Sequence, residues 1–177
     1  MEQPIIVRYR WTADEAIQAR HYHLHHVIRP IVRVGANVLF AFCIVVGVLR
    51  LILYPITDKS SLLRALAWLT LGGYWFILRP LVRRWVIRRR FKKEPDRDRE
   101  IDWEFSEDKI RVSTAHSNSE RVWHSYTKVV RTPEGILLYP NEEMYQWLPR
   151  SGFANDKEFV RFIELSAGKI PRHFDVT

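Results

Sequence analysis

A run of basic residues directly after an apolar segment constrains this chain of 177 residues more than any other feature. Residues 79–93 contain eight Lys or Arg and no Asp or Glu, whereas residues 65–78 carry no charge. Such clusters are typical of the point where a transmembrane helix leaves the bilayer on the cytoplasmic side, since basic residues are attracted to anionic lipid there. We therefore expect a membrane protein in which this basic segment contacts lipid head groups.

Two apolar segments are long enough to form transmembrane helices. The first, residues 34–54, begins with sixteen uncharged residues and would measure about 31 Å as a helix, which is enough to span the hydrocarbon core. The second covers residues 62–79. Because only a short polar loop separates them, they are expected to form an antiparallel hairpin. Gly72 and Gly73 would allow another helix to approach closely, so a homo-oligomer through these glycines is possible.

The distribution of basic residues predicts the orientation of this hairpin. Three basic residues lie near the connecting loop, and eleven flank the other ends of the two segments. The positive-inside rule then places both termini in the cytoplasm and the connecting loop on the other side of the membrane. The residues expected to contact anionic head groups are Arg29, Arg33, Arg79, Arg83, Arg84, Arg88, Arg89, Arg90, Lys92 and Lys93. A hairpin buried in a soluble helical domain is the alternative, which the basic flanks disfavour.

The net charge of +8 could suggest a nucleic-acid-binding protein, but its distribution argues against this. Residues 1–95 contain 16 Lys or Arg and 5 Asp or Glu, whereas residues 96–177 contain 12 and 15. A nucleic-acid-binding protein would be expected to carry its basic patch on the folded domain. We expect no nucleic-acid partner.

The N-terminal residues 1–30 predict a strand followed by a helix. Apolar and basic residues alternate over residues 5–11, as in a strand with one buried face. Thr12 and Glu15 form a capping-box pattern, which predicts a helix that continues to about Arg29 and lies on the membrane surface with its histidines toward phosphate groups. His21 and His25 have the i, i+4 spacing of a metal pair. A third ligand is not evident, so we expect no metal and no cofactor.

Residues 94–177 predict a small β-rich module that follows the transmembrane hairpin of residues 31–93. A turn at Pro133–Gly135 and a second capping box at Asn155–Glu158 separate its elements, and Gly168 is expected to end the last helix. This pattern predicts a membrane α+β protein whose antiparallel module is a curved sheet or an open barrel sealed by the C-terminal helix. The predicted strands are residues 101–105, 109–115, 121–124, 127–131, 136–139 and 144–148.

Several short motifs in this order resemble the YcxB-like family of bacterial two-span membrane proteins. They are Glu104-Phe-Ser-Glu-Asp-Lys-Ile, Arg121-Val-Trp-His-Ser-Tyr-Thr-Lys-Val, Gly135-Ile-Leu-Leu-Tyr-Pro and Trp147-Leu-Pro-Arg-Ser-Gly-Phe. With the N-terminal strand and helix and the hairpin, the resemblance covers nearly the whole chain. The C-terminal part is also similar to bacterial pleckstrin-homology-like domains, with Trp123 and Tyr126 at the start of a strand. The resemblance implies this architecture and a multi-pass location in the bacterial inner membrane, and it implies no particular reaction.

No motif for catalysis is present, since the chain has no nucleophile elbow, no glycine-rich phosphate loop and no spaced carboxylate pair. We therefore expect a protein that is not an enzyme and that presents its β-rich module to a partner protein or to lipid. Most aromatic residues of so small a module are expected in its core, and Trp147 and Arg150 are the candidates for partner binding. The alternatives are an immunity protein that protects the membrane against a bacterial toxin, and an oligomeric channel or transport subunit.

Overall fold

The chain forms two compact units in its computed structural model. One unit, called the hairpin below, comprises Ile28–Arg89. The other, called the module, combines the chain up to Val27 with the chain from Arg90 onward. The hairpin is therefore inserted between two parts of the module. The described residues are 3–53, 59–94, 97–114 and 117–176.

The described residues form α-helices, a π-helical segment and eight strands. The helices are α1 (Ala13–Val27), α2 (Pro30–Leu53), α3 (Lys59–Gly73), α4 (Arg79–Phe91) and α5 (Asp156–Ala167), and the π-helical segment between α3 and α4 is Tyr74–Leu78. The strands are β1 (Ile5–Arg10), β2 (Glu100–Phe105), β3 (Lys109–Ser113), β4 (Asn118–Val122), β5 (Lys128–Thr132), β6 (Gly135–Tyr139), β7 (Gln146–Pro149) and β8 (His173–Asp175).

Two helices of the hairpin are long and apolar enough to cross a membrane, judged over the described part of the chain. They are α2, with 24 residues, and the continuous helix Lys59–Phe91, with 33 residues. In each helix, only 11% of the most apolar segment of 18 residues is buried. A core helix of a soluble protein buries most of its apolar residues, so this exposed apolar surface favours lipid as its surroundings. The predicted spans lie within these helices, except that Tyr54 and the loop residues 55–58 fall outside the described residues.

Glycines allow the two helices of the hairpin to pack closely. A Cβ atom at Gly47 would lie 2.7 Å from Leu69 Cγ, and one at Gly72 would lie 2.4 Å from Ile44 Cγ1. Both distances are shorter than carbon–carbon contacts between packed side chains, so a larger residue at either position would force the neighbouring side chain to shift. Gly72, proposed above as an oligomer contact, is thus already packed within its own hairpin. At Gly73 an added Cβ would meet no described atom within 4 Å.

The module contains two four-stranded sheets rather than one curved sheet or open barrel. The first sheet has the strand order β1-β2-β3-β4 and is antiparallel throughout. The second has the order β7-β6-β5-β8, in which only the β5–β8 pair is parallel. The fold class predicted from the sequence, a membrane α+β protein with a helical hairpin and a small β module closed by a helix, is confirmed.

Strand β6 of the second sheet is buried on both faces. All five of its residues are buried, and the last four belong alternately to two apolar cores. Ile136 and Leu138 pack in the core that contains α5 and the inner face of the first sheet, whereas Leu137 and Tyr139 pack in the core that contains Ala19 of α1. A strand buried on both faces loses the alternation of apolar and polar residues, as β6 does.

Helix α1 packs on the second sheet of the module, a contact that its prediction as a helix at the membrane surface did not include. Its buried residues are Ala19 and His23, which face the second sheet. Strand β1 pairs with β2 from Ile5↔Phe105 to Arg10↔Glu100. The sequence analysis treated residues 1–30 as a segment of their own. In the structure, the N-terminal strand and helix fold together with the C-terminal residues.

Local hydrogen bonds explain where strands and helices begin and end. Asn155 Oδ1 accepts a hydrogen bond from the Glu158 amide at 3.0 Å, as its capping box predicts, and Gly168 caps the end of α5. The predicted strand at residues 121–124 is instead the end of β4 followed by a 3₁₀ turn. The turn is held by the Trp123 indole, which donates to the Ser106 carbonyl at 2.8 Å.

Replacing Gly72 by valine should destabilise the hairpin by about 1–3 kcal/mol, because the added side chain overlaps Ile44. Circular dichroism during titration of the full chain with sodium dodecyl sulfate would measure the loss of helix. Gly73→Val is the matched control, since it changes helix propensity equally but adds its Cβ where no described atom lies within 4 Å. Equal destabilisation by both substitutions would contradict the packing described here.

Candidate binding surfaces

The basic residues of α4 form an exposed surface at the end of the second long helix. Arg83, Arg84, Arg88, Arg89 and Arg90 are exposed, and so are Lys92 and Lys93 in the turn that follows α4. Trp85 is 58% exposed among them, and the Arg89 guanidinium lies 5.1 Å from the centre of its ring. Amphipathic indole rings and long cationic side chains are the residues that membrane proteins place at the head-group level.

Three arginines predicted to contact lipid differ from those of this basic surface. One lies outside α4 and is exposed, and the other two are partly buried. Arg29 is exposed in the link between α1 and α2. Arg33, in the first turns of α2, and Arg79, at the start of α4, are partly buried. The Arg79 guanidinium lies 3.5 Å from the centre of the Trp75 ring, which is a close cation–π contact.

The outer face of the first sheet carries a groove of about 460 Å³. Antiparallel register aligns the outward side chains of all four strands in two rows that line this groove. One row consists of Ile6, Glu104, Arg111 and Glu120. The other consists of Arg8, Asp102, Ser113 and Asn118. The sequence predicted β1, β2 and β3, whose alternation already places their outward residues on one face. It placed the next strand at residues 121–124 instead of Asn118–Val122, so this surface was not predicted.

Ion pairs across the strands organise the groove. Arg111 lies 2.9 Å from Glu120 and 3.7 Å from Glu104, and Arg8 lies 2.5 Å from Asp102. Hydrogen bonds from Arg111 and then Lys109 lower the pKa of Glu120. All these side chains are exposed, and solvent weakens such pairs. A ligand with charges of its own can therefore exchange partners with them at little cost.

A second polar cluster is buried between α1 and the second sheet. His23 Nδ1 and the Tyr139 hydroxyl share a hydrogen bond of 2.9 Å, and the Tyr145 ring stacks on His23 at 4.4 Å. Lys128 Nζ lies 2.9 Å from a carboxylate oxygen of Glu142 and 4.3 Å from the centre of the Tyr139 ring. Burial lowers the pKa of His23 to about 4, with nearby positive charge on Arg20 and Lys128 adding to the effect. His23 is thus neutral near pH 7 and anchors α1 to the module.

The remaining histidines of α1 do not assemble a metal site with other described residues. The His21 and His25 rings lie 5.5 Å apart, centre to centre. Within the described ranges, no group of three or more His, Cys, Asp or Glu is placed to hold a metal ion. His26 lies against Tyr139 and Phe174 rather than facing head groups.

The two residues predicted to bind a partner have different environments. Trp147 is only 2% exposed, and its indole donates a hydrogen bond of 2.6 Å to Glu15 Oε2, so it belongs to the core beneath α1. This corrects its assignment to a binding surface. Arg150 is exposed, pairs with Asp156 at 2.9 Å and lies 5.0 Å from the centre of the Phe159 ring. It ties the loop after β7 to the start of α5.

These features define a class of membrane protein in which a two-helix hairpin is joined to a small β-rich module. Residues 105–166, from the end of β2 to the last turn of α5, match the model of the family described as YcxB-like protein. The resemblance drawn from the sequence motifs is confirmed over this segment. No curated protein and no solved structure matches the chain.

The buried His23 makes the stability of the module dependent on pH. Its pKa is about 4 in the folded chain and about 6.5 when unfolded, so between these values the unfolded state binds the additional proton. The free energy of unfolding should therefore fall as the pH is lowered from about 6.5 to 4. Thermal unfolding of the full chain, followed by circular dichroism, would measure the slope.

The His23→Gln variant should show a shallower slope over this range, because it removes the titrating group and keeps a polar side chain. His124→Gln is the control, since His124 is exposed in the 3₁₀ turn after β4. The same slope in His23→Gln and in the unsubstituted protein would show that His23 does not control this dependence.

Proposed function

We propose that this chain is a non-catalytic binding protein anchored in the bacterial inner membrane. In this proposal the hairpin crosses the membrane twice with both termini in the cytoplasm, α4 contacts anionic lipid head groups, and the module binds a partner protein. The observation that carries the proposal is the continuous helix Lys59–Phe91. It passes from an uncharged apolar segment to a densely basic one without a break and then leads into the module.

The basic end of this helix supports both the orientation and the lipid contact. Each Lys or Arg near an anionic surface contributes about 1 kcal/mol of attraction, and residues 79–93 contain eight of them without an opposing carboxylate. The other end of the helix carries only Lys59 and Arg64. This asymmetry supports a cytoplasmic location for α4 and hence for the module that follows it.

The groove on the first sheet supports the binding of a protein segment by the module. Its two rows offer carboxylates, guanidinium groups, hydroxyl and amide groups on a rigid four-stranded surface. These groups suit an extended polypeptide that carries both charges, because each exposed ion pair can be replaced by a pair with the ligand.

The lipid contact can be tested by neutralising the exposed arginines of α4. In the full chain, substitution of Arg83, Arg84, Arg88 and Arg89 by glutamine should lower several-fold the ratio of anionic to zwitterionic lipid that co-purifies in mild detergent. Mass spectrometry of extracted lipid would measure this ratio. The control is Lys59→Gln with Arg64→Gln at the opposite end of the same helix, where little change is expected. An unchanged ratio in the fourfold variant would refute the lipid contact.

Partner binding can be tested with a photo-crosslinking amino acid at Ser113, which is exposed and belongs to one of the two polar rows that line the groove. In cells, the full chain should give a protein adduct of defined mass from this position. The adduct should be lost in Arg111→Glu, which reverses the central charge of one row. It should persist in Lys157→Glu, on an exposed position of α5. An adduct that is equally strong in both variants would exclude the groove as the binding surface.

A further inference from the structure

We propose that Arg33 and Arg79 together form a defined site for the phosphate group of one anionic lipid. The site lies at the end of the hairpin where α2 and α4 begin. This inference deepens the proposed function and rests on the part of it that places the hairpin in a membrane. It differs from the general attraction of α4 for anionic surfaces because it assigns one lipid to two particular side chains.

The packing register of the hairpin brings these two arginines to the same level. A Cβ at Gly47 would lie 3.2 Å from the Ala65 carbonyl, and one at Gly72 would lie 3.0 Å from the Phe40 carbonyl. One turn further, the Trp75 indole donates a hydrogen bond of 3.1 Å to Asn37 Oδ1. The same antiparallel register, continued by one turn on each helix, aligns Arg33 with Arg79.

Arg33 has an unsatisfied hydrogen-bond donor. Its Nη1 atom is buried and has no hydrogen-bond partner among the described residues. A guanidinium group remains charged at any accessible pH, so the donor cannot be neutralised by losing a proton. A buried charged donor without a partner is costly, and a second cation at the same level increases the cost. An anion between the two arginines would remove both penalties.

Arg79 is already oriented by its neighbours. Its guanidinium stacks on the Trp75 ring at 3.5 Å, and Trp75 in turn stacks on Phe40 at 4.1 Å and is held by Asn37. Stacking uses the flat face of a guanidinium and leaves the N–H groups at its edge available. Trp75 also lies in the π-helical segment, and π-helical turns in α-helices occur frequently at functional sites.

The required ligand is an oxyanion with several acceptor atoms, and its surroundings indicate a lipid. Phosphate oxygens accept paired hydrogen bonds from guanidinium groups. The neighbours of Arg33 on α2 are strongly exposed apolar residues, with Ile31 78% and Val32 59% exposed, and Leu78 beside Arg79 is 50% exposed. Free phosphate would leave this apolar surface uncovered, whereas the acyl chains of a lipid would cover it.

Native mass spectrometry of the full chain in detergent, titrated with phosphatidylglycerol, tests this site. The first lipid adduct should form with a distinctly lower dissociation constant than later ones. Arg33→Gln and, separately, Arg79→Gln should weaken the first adduct by about tenfold, the usual effect of losing a hydrogen bond to a charged group. Arg33→Lys should give an intermediate value, because it keeps the charge and loses the paired donors. Circular dichroism of each variant checks that the helices are retained.

Two controls separate this site from a general effect of basic residues and from free phosphate. Lys59→Gln, at the opposite end of the same long helix, should leave the first adduct unchanged. If neither Arg33→Gln nor Arg79→Gln alters the first adduct while the fourfold α4 variant loses anionic lipid, the site is refuted and the proposed function stands. If no phosphatidylglycerol adduct forms at all, both this site and the proposed lipid contact of α4 are refuted, whereas the crosslinking experiment decides separately on partner binding. Displacement of the first adduct by millimolar inorganic phosphate would refute the assignment to lipid.

Discussion

The structure of the module depends on the burial of its second sheet from both sides. Strand β6 places Ile136 and Leu138 in one core and Leu137 and Tyr139 in the other, so each face of the sheet needs its own cover. The first sheet and α5 provide one cover, and α1 provides the other. Both cores bury large aromatic side chains, each of which removes considerable apolar area from water. The N-terminal residues are therefore structural parts of the module.

Much of the fold could be predicted from the sequence because it is encoded locally. The two long helices follow from uncharged segments with basic flanks, and strands β1 and β2 of the first sheet follow from period-two alternation in residues 5–10 and 100–105. The caps at Thr12 and Asn155 need only a side-chain oxygen and a backbone amide three residues later. Such signals are contained within a few residues and do not depend on distant parts of the chain.

The features that escaped sequence reasoning depend on contacts between distant residues. Histidine is usually exposed, and only the Tyr139 hydroxyl, 116 residues away in sequence, allows His23 to be buried. Trp147 could be placed in the core only by knowing its bond to Glu15. Strand β8 is short and exposed and pairs with β5 in parallel, which no local pattern indicates. The groove requires the register of four strands.

The insertion of the hairpin between two parts of one module links the assembly of the module to that of the membrane region. Strand β1 is synthesised before the hairpin, and β2 is synthesised after it. Strand β1 therefore cannot pair with β2 until the whole hairpin has been synthesised. If a single helix crossed the bilayer, β1 and β2 would lie on opposite sides and the module could not form. Pairing of β1 with β2 therefore requires that the hairpin returns the chain to the side of the membrane on which β1 lies.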